Sequence, residues 1–173
     1  MPTPFVPIIM GSKSDLMSEG KINGNSNPAK IAKTLESFGI GYEFRMCSAH
    51  KNSPYLMKII EEYDSDTGLS IVYMTVAGRS DGLSGTIAGH TTKPVIGCPP
   101  YSDKYGGSGP STFYMPSKAP VAFVPDPENA AMEAVRIFGM SDRDLTSRLK
   151  AYMRSTRSLI EIEDKDIPRK LGD

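Results

Sequence analysis

The chain has 173 residues, of which 39% are apolar and 23% are charged, and its 20 basic and 20 acidic residues balance to a formal net charge of zero. This composition is typical of a globular domain and excludes a disordered or fibrous chain. The balanced charge argues against a nucleic-acid-binding protein, which needs a basic excess to neutralise phosphates.

Membrane, secreted and metal-binding classes are not expected either. No apolar run approaches the roughly 20 residues of a membrane span, and Met1-Pro2-Thr3-Pro4 lacks the basic region of a secretion signal. The two cysteines, Cys47 and Cys98, indicate reduced thiols in a cytoplasmic protein. With only two histidines, His50 and His90, we expect no metal site.

Five short apolar runs predict strands that are buried on both faces. The runs are rich in Val, Ile, Phe or Tyr, are mostly continuous rather than alternating, and are bounded by Gly, Pro, Ser or Asp. They lie at residues 5–10, 42–47, 69–76, 94–98 and 120–124.

Helical patterns lie between these runs. The predicted helices open on polar caps followed by Pro or by an acidic residue, at Asn27-Pro28, Asn52-Ser53-Pro54, Asp126-Pro127 and Ser141-Asp142-Arg143-Asp144. Gly39 and Gly139 are expected to end the first and third of these helices. The last helix is expected to carry an apolar stripe of Leu145, Leu149, Tyr152, Met153, Leu159 and Ile160.

Strands that alternate with helices predict an α/β fold, in which right-handed crossovers place helices on both faces of a parallel sheet. We expect one flavodoxin-like, three-layer, doubly wound domain over residues 1–173. Its α/β core is expected at 5–140, a long C-terminal helix at 141–163 and a tail at 164–173. The least ordered compositions are those of 19–27 and 101–110, and the second stretch is a candidate active-site loop.

Function in such a sheet is decided at the carboxyl ends of the strands, where ligands bind. The first four loops there are residues 11–15, 48–51, 77–82 and 97–100, called here the first to fourth loops. All carry small residues, which turns require in any case. The first three also carry charges and hydroxyls, and their convergence on one edge predicts a binding site.

The first loop is suited to a phosphate. Gly11 allows close approach of the backbone, Ser12 and Ser14 offer hydroxyls and amides, and Lys13 adds a positive charge. Asp15 either accepts a hydrogen bond from a ribose diol or caps the following helix. The loop matches neither the P-loop pattern nor Gly-x-Gly-x-x-Gly.

The second loop contains the candidate acid–base residue. Histidine is the side chain best suited to moving a proton near neutral pH, and His50 stands at the predicted ligand edge between Ser48 and Lys51. A lone histidine is otherwise an ordinary surface or core residue, and Lys51 by default is solvated. His90 is assigned to structure or to a contact between subunits.

The third loop offers backbone at Gly78 and polar groups at Arg79, Ser80 and Asp81. Arg79 either binds a carboxylate through its forked donors or pairs with Asp81 to hold the loop shut. In the fourth loop, Cys98 has no basic neighbour in sequence and is interpreted as a buried structural thiol rather than a nucleophile.

Five motifs now carry a family resemblance. They are Met-Gly-Ser-Lys-Ser-Asp at 10–15, Ser-Ala-His-Lys at 48–51, Ala-Gly-Arg-Ser-Asp-Gly-Leu at 77–83, Pro-Val-Ile-Gly-Cys-Pro-Pro at 94–100 and Met-Pro-Ser at 115–117. In this order and spacing they resemble the PurE family, the phosphoribosylaminoimidazole carboxylases of purine biosynthesis. The resemblance runs from about residue 5 to residue 160.

The resemblance also points to one of two branches. One branch rearranges N-carboxyaminoimidazole ribonucleotide, and typically has Arg at the position of Lys51 and Gly-Ala-Ala-His at the positions of 79–82. The other carboxylates aminoimidazole ribonucleotide (AIR) directly with CO2, without ATP, biotin or another cofactor. The chain is similar to the direct branch, including Cys-Pro-Pro at 98–100. A mutase or a non-catalytic nucleotide-binding domain are the alternatives; a flavin carrier is disfavoured because the chain lacks a Thr-Gly-Asn phosphate loop.

The resemblance implies roles for individual residues. His50 matches the catalytic histidine; Ser12 and Asp15 match nucleotide-binding positions, and Lys51 matches a contact to the phosphate. The implied substrate-binding set is Gly11, Ser12, Ser14, Asp15, Ser48, Ala49, Lys51, Gly78, Arg79, Ser80 and Asp81. Members of the family assemble as homo-octamers, which implies an oligomer here.

The chain departs from the family pattern at four places, one of which is the atypical loop at residues 101–110. An insertion around residues 20–27 directly follows the first loop, so the first helix is expected to start differently. Tyr114 stands where the direct branch usually has Arg, and Lys118 stands where it has Gly.

Overall fold

The computed structural model describes residues 2–103 and 110–170. Its strands are β1 (Thr3–Met10), β2 (Met17–Ser18), β3 (Lys21–Ile22), β4 (Gly41–Met46), β5 (Leu69–Ile71), β6 (Tyr73–Val76), β7 (Val95–Gly97) and β8 (Ala122–Phe123). Its α-helices are α1 (Asn27–Ser37), α2 (Ser53–Asp64), α3 (Gly82–Ala88), α4 (Pro110–Phe113), α5 (Pro127–Gly139) and α6 (Arg143–Lys165). Residues 104–109 of the predicted active-site loop and 171–173 of the predicted tail lie outside the described residues.

The main sheet is parallel, with strand order β4-β1-β6-β7-β8 and with β5 paired to β1. In the numbering of the five predicted strands this order is 2-1-3-4-5, which is that of a flavodoxin-like, doubly wound sheet. The predicted fold class is therefore confirmed.

Helices cover both faces of the sheet, and this explains why the strand sequences are continuously apolar. On one face Val6 and Ile8 of β1 pack with α1 and α5, in a core that includes Leu35. On the other face Ile9 packs with α2 and α3, in a core that includes Leu56. All five side chains are fully buried.

The predicted helix starts are confirmed, with two of the caps shifted by one residue. Ser26, not Asn27, caps α1, because its hydroxyl accepts a hydrogen bond from the amide of Ala29. Asp142, not Ser141, caps α6 by accepting from the amide of Leu145 at 3.0 Å. In each case a neighbouring side chain of the same capping type reaches the free amide of the first turn.

Residues 19–27 are more regular than their composition predicts. β2 and β3 form an antiparallel hairpin whose turn residues, Glu19 and Gly20, have φ values of 51° and 78°. Positive φ values at both central residues are characteristic of a type I′ two-residue hairpin turn. Glutamate is uncommon with a positive φ, so the residue types around Glu19 do not predict this turn.

Residues 69–76 were predicted as one strand and form two segments, β5 and β6, on the same side of β1. They share one register, since Phe5 is level with Ile71 and Ile8 is level with Met74. The interruption at Val72 is therefore local and leaves the predicted alignment unchanged.

The C-terminal helix α6 leaves the body of the domain. Leu145, at its start, is buried, and Tyr152 packs edge-on against Phe38 with ring centroids 5.6 Å apart. Farther along, the predicted apolar stripe is exposed at Leu159 and Ile160. Within the described part of the chain, no helix is both long and apolar enough to cross a membrane.

Gly97 has no side chain, and this allows α4 to approach β7 closely. A methyl group built on Gly97 would lie 2.6 Å from Cγ2 of Thr112 and 3.2 Å from Cγ1 of Val121. Gly97→Ala is therefore expected to lower the free energy of unfolding by about 1–3 kcal/mol through overpacking. The measurement is urea denaturation.

Gly24→Ala is the matched control, because a methyl group there meets no atom within 4 Å and the backbone is not left-handed. Its stability should stay within about 0.5 kcal/mol of the parent. Equal stability of the two variants would contradict the close packing of α4 on β7.

Candidate active site

A cavity of about 650 Å³ opens at the carboxyl ends of β1, β4 and β6. Its walls come from the first, second and third loops. The lining residues are Gly11, Ser12, Ser14, Asp15, Ser48, Ala49, His50, Lys51, Ala77, Gly78, Arg79, Ser80 and Leu83. The predicted catalytic and substrate-binding residues all line this cavity except Asp81, and Lys13 of the first loop is not among the lining residues either.

Strand register explains why three distant loops meet. Met10, the last residue of β1, is level with Met46 on one side and with Val76 on the other. The amide of Gly11 donates to the carbonyl of Val76 at 3.0 Å, and the amide of Cys47 donates to the carbonyl of Met10 at 2.9 Å. The three strands therefore end side by side at the same level of the sheet, and their loops start next to one another.

The first loop is held by a reciprocal cap around a short 3-10 helix, Lys13–Asp15. The amide of Ser12 donates to Oδ2 of Asp15 at 2.8 Å, and the hydroxyls of Ser12 and Ser14 lie 2.9 Å apart. Burial raises the pKa of the Asp15 carboxyl, and the amide of Ser12 opposes that rise. Asp15 thus caps the loop while it also lines the cavity.

The insertion separates the first loop from the first α-helix. The hairpin β2–β3 follows the 3-10 helix, and α1 begins only at Asn27. A phosphate at this loop would therefore meet loop amides and hydroxyls, and not the start of a long helix. Part of the predicted insertion, Lys21–Ile22, forms the second strand of this hairpin.

The second loop presents His50 and Lys51 from a tight turn. The amides of Lys51 and Asn52 both donate to the carbonyl of Ser48, at 3.1 and 2.9 Å. Asn52 then caps α2 by accepting from the amide of Tyr55. His50 and Lys51 are exposed.

The imidazole of His50 lies against the backbone at the start of α3. A methyl group built on Gly82 would lie 2.7 Å from Nε2 and 2.8 Å from Cε1 of His50. Only a residue without a side chain allows the imidazole to lie this close to the backbone. The second and third loops therefore touch at His50.

The third loop has a left-handed residue in the cavity wall. Arg79 has a φ of 60°, which is uncommon for a residue with a side chain and costs about 1 kcal/mol or more. The amide of Gly82 donates to the carbonyl of Ser80 at 3.0 Å and closes the turn that follows. Such conformations occur most often where a loop must present groups to a ligand.

Asp81 faces away from the cavity. Its side chain is 6% exposed and accepts three hydrogen bonds, from the amide and hydroxyl of Ser84 and from the hydroxyl of Thr112. The cap it provides at the start of α3 follows from its position before Gly82. Ala77 and Leu83, which are absent from the predicted substrate-binding set, lie in the cavity wall.

The remaining candidates lie outside the lining. Nδ1 of His90 is 2.8 Å from the carbonyl of Thr86, and its side chain is exposed at the far end of α3. Tyr114 is 78% exposed and is not part of the cavity wall. Within residues 2–103 and 110–170, no group of three His, Cys, Asp or Glu side chains could hold a metal ion.

Cys98 is fully buried, and its burial raises the pKa of the thiol to about 12. Its sulfur lies 3.6 Å from Nδ2 of Asn27 and 3.6 Å from the carbonyl oxygen of Pro125. These features are those of a structural thiol.

Cys98 should therefore resist alkylation in the folded protein. At pH 8 we expect iodoacetamide to leave Cys98 unmodified in the native state and to modify it after unfolding in guanidinium, as measured by mass spectrometry. Cys47, which is also buried with a raised pKa, should behave alike and serves as the internal comparison. Rapid native modification of Cys98 would contradict the structural assignment.

Comparison with known proteins connects this site to a family. A family model described as AIR carboxylase matches residues 5–158. A phosphoribosylaminoimidazole carboxylase of Treponema denticola is 37% identical over 167 residues, which cover 96% of this chain and 99% of that protein. One of Archaeoglobus fulgidus is 39% identical over 161 residues, which cover 92% and 83%.

The crystal structure of Treponema denticola PurE superimposes with a TM-score of 0.85 at 37% identity, over 96% of this chain and 99% of that one. A protein of Pyrococcus horikoshii named N5-carboxyaminoimidazole ribonucleotide mutase is 34% identical over 168 residues, covering 94% of this chain and 88% of that protein. Relatives of similar length thus carry both names.

Proposed function

The chain is an enzyme of the AIR carboxylase family, and from that premise we propose that it carboxylates AIR directly with CO2. The product is 4-carboxy-5-aminoimidazole ribonucleotide, and the reaction uses neither ATP nor biotin. The family places the enzyme in purine biosynthesis; the direct reaction, rather than the rearrangement, is the proposed step. The observation that carries the proposal is that His50 meets the first and third loops at one cavity.

The chemistry needs little beyond positioning and one proton transfer. AIR is an electron-rich enamine, so its ring carbon C4 attacks the carbon of CO2 and a C–C bond forms as one C=O bond of CO2 opens to a carboxylate. C4 then carries both a proton and the new carboxylate, and loss of that proton restores the aromatic ring. Holding the two reactants together supplies the entropic part of the rate enhancement.

His50 is the residue proposed to take the C4 proton. Its imidazole reaches into the cavity from the second loop while Gly82 supports it from behind. A neutral imidazole accepts the proton and passes it to solvent. In the reverse direction the imidazolium protonates C4, and the C–C bond to the carboxylate breaks to release CO2.

Apolar groups beside His50 fit a small neutral reactant. Ala77 and Leu83 are 8% and 2% exposed, and Ala49 and Gly78 complete this part of the wall. The side chains of Ala49, Ala77 and Leu83 carry no charge and no hydrogen-bonding group, so a bicarbonate ion would lose hydration against them without compensation. This part of the wall therefore favours CO2 as the carboxyl donor.

Polar groups of the first and second loops fit the ribose phosphate. Ser12 and Ser14 of the first loop offer hydroxyls and amides, and Lys51 adds a positive charge. Because Oδ2 of Asp15 already accepts from the amide of Ser12, a ribose hydroxyl would be received by the other oxygen. Arg79 and Ser80 are proposed to orient the carboxylate of the product.

One observation favours the direct reaction over the mutase reaction. Lys51 and residues 79–82 differ from the pattern of the rearranging branch, as the sequence indicates.

The family resemblance also supports the assembly of this chain into a homo-oligomer. We propose a homo-octamer in the cytoplasm, in which the exposed apolar side chains Leu159, Ile160 and Ile162 of α6 are covered by other subunits.

The direct reaction is tested by supplying AIR with dissolved CO2. We expect 4-carboxylated product to form at once when CO2 is added, and more slowly when the same amount of bicarbonate is added without carbonic anhydrase. Mixing must be faster than CO2 hydration, and product is followed by its absorbance. Product formed only from the N-carboxylated substrate would contradict the direct reaction and establish the mutase.

His50→Asn tests the proton transfer. We expect kcat to fall by at least about 100-fold, because general base catalysis is lost, while AIR still binds. Turnover and calorimetric binding are measured on the same preparation.

His90→Asn is the matched control, since the other histidine of the chain is exposed and lies outside the cavity. It should retain parental turnover. Full activity of His50→Asn would remove His50 from the mechanism, and a parent protein that binds AIR without turnover would identify a nucleotide-binding domain.

A further inference from the structure

A cluster of buried polar side chains lies directly behind the cavity wall. Thr75, Asp81, Ser84 and Thr112 are the polar or charged side chains that are buried within the described part of the chain, and all four belong to it. They are called here the Asp81 cluster. Buried polar groups are costly unless they are paired, so their concentration beside the candidate site needs a reason.

The carboxylate of Asp81 is the centre of the cluster. Oδ1 accepts from the amide of Ser84 at 3.0 Å, and Oδ2 accepts from the hydroxyls of Ser84 and Thr112, each at 2.6 Å. The Ser84 hydroxyl, which donates to Asp81, also lies 2.6 Å from the hydroxyl of Thr75 in β6. One carboxylate thereby ties together β6, α3 and α4.

The backbone of Asp81 is anchored as well. Its amide donates to the hydroxyl of Ser111 in α4 at 2.8 Å. α4 is itself pressed against β7, where Gly97 leaves room for Thr112. Main chain and side chain of Asp81 are therefore both fixed to elements whose own positions are set by the sheet.

The next residue in the chain is Gly82, whose backbone supports His50. A methyl group there would lie 2.7 Å from Nε2 of His50, so the imidazole rests on the Gly82 backbone. Any movement of the loop at Asp81 moves this support. Asp81 is thus one residue away from the contact that sets the position of the proposed base.

We propose that Asp81 is a positioning residue: its buried carboxylate fixes Gly82 under the imidazole of His50, and it does not contact AIR. This inference deepens the proposed function and rests on the role of His50 in it. It assigns to Asp81 a different role from the substrate contact that the family resemblance implies, because the carboxylate is turned into the protein.

Three variants distinguish the hydrogen bonds of Asp81 from its negative charge. Asp81→Asn keeps an oxygen for the amide of Ser84, and its NH2 group can donate to the hydroxyls of Ser84 and Thr112 once these rotate. Asp81→Ala removes every one of these bonds. Thr112→Val removes one donor while it keeps the buried volume.

We expect kcat to fall by about 100-fold in Asp81→Ala and by about tenfold in Thr112→Val, since small displacements of a catalytic group are costly. Asp81→Asn should retain kcat within about threefold of the parent, and the affinity for AIR should change by less than about threefold in all three. Thr112→Val added to Asp81→Ala should cause no further loss, because both act through one set of bonds.

Asp142→Ala is the control for stability alone, because Asp142 caps α6 with the same geometry and lies outside the cavity. It should lower the melting temperature while kcat is retained. A loss in Asp81→Asn as large as that in Asp81→Ala would overturn the proposal by showing that the charge itself acts. Parental kcat in Asp81→Ala would also overturn it.

A readout independent of turnover separates this proposal from the proposed function. The chain has two histidines, so the imidazole proton signals of His50 and His90 can be followed by nuclear magnetic resonance. We expect the His50 signal to shift or broaden in Asp81→Ala and Thr112→Val and to stay in place in Asp142→Ala. An unmoved His50 signal would overturn the positioning role, whereas a parent enzyme that does not carboxylate AIR would overturn only the proposed reaction.

Discussion

β1 is hydrogen-bonded to β4 along one side and to β6 along the other, and its last residue, Met10, is level with the ends of the flanking strands. The site depends on this register. A parallel sheet sends all its strands out at one edge, and the strand order decides which loops become neighbours there. Here the order makes neighbours of three loops that lie far apart in the chain, and the cavity is the space between them.

The same edge separates two kinds of polar group. Hydroxyls, amides and charges of the loops face the cavity, where a ribose phosphate and CO2 would replace water. Thr75, Asp81, Ser84 and Thr112 face inward and satisfy one another. Among the described residues, every buried side-chain nitrogen or oxygen has a hydrogen-bond partner. The outer groups suit binding, and the inner ones give the proposed base a fixed support.

Much of this was available from the sequence, because strong local signals agree with the global fold. Continuous apolar runs predicted the strands, and capping residues predicted the helix starts to within one residue. The meeting of the loops followed from the sheet alone. Two features could not be predicted from neighbouring residues: the hairpin turn at Glu19, since glutamate rarely has a positive φ, and the buried pairing of Asp81 outside its own helix. The latter depends on Thr112, a partner that is distant in sequence and that only the tertiary structure brings near.

The central claim is that the imidazole ring of AIR lies against His50 within this cavity. A crystal structure of the enzyme with AIR, grown without CO2, measures it most directly. The account predicts C4 of AIR at about 3–4 Å from a ring nitrogen of His50, with the phosphate at the first loop and Lys51. An AIR molecule whose ring lies away from His50, or whose phosphate occupies the wall formed by Ala77 and Leu83, would contradict it.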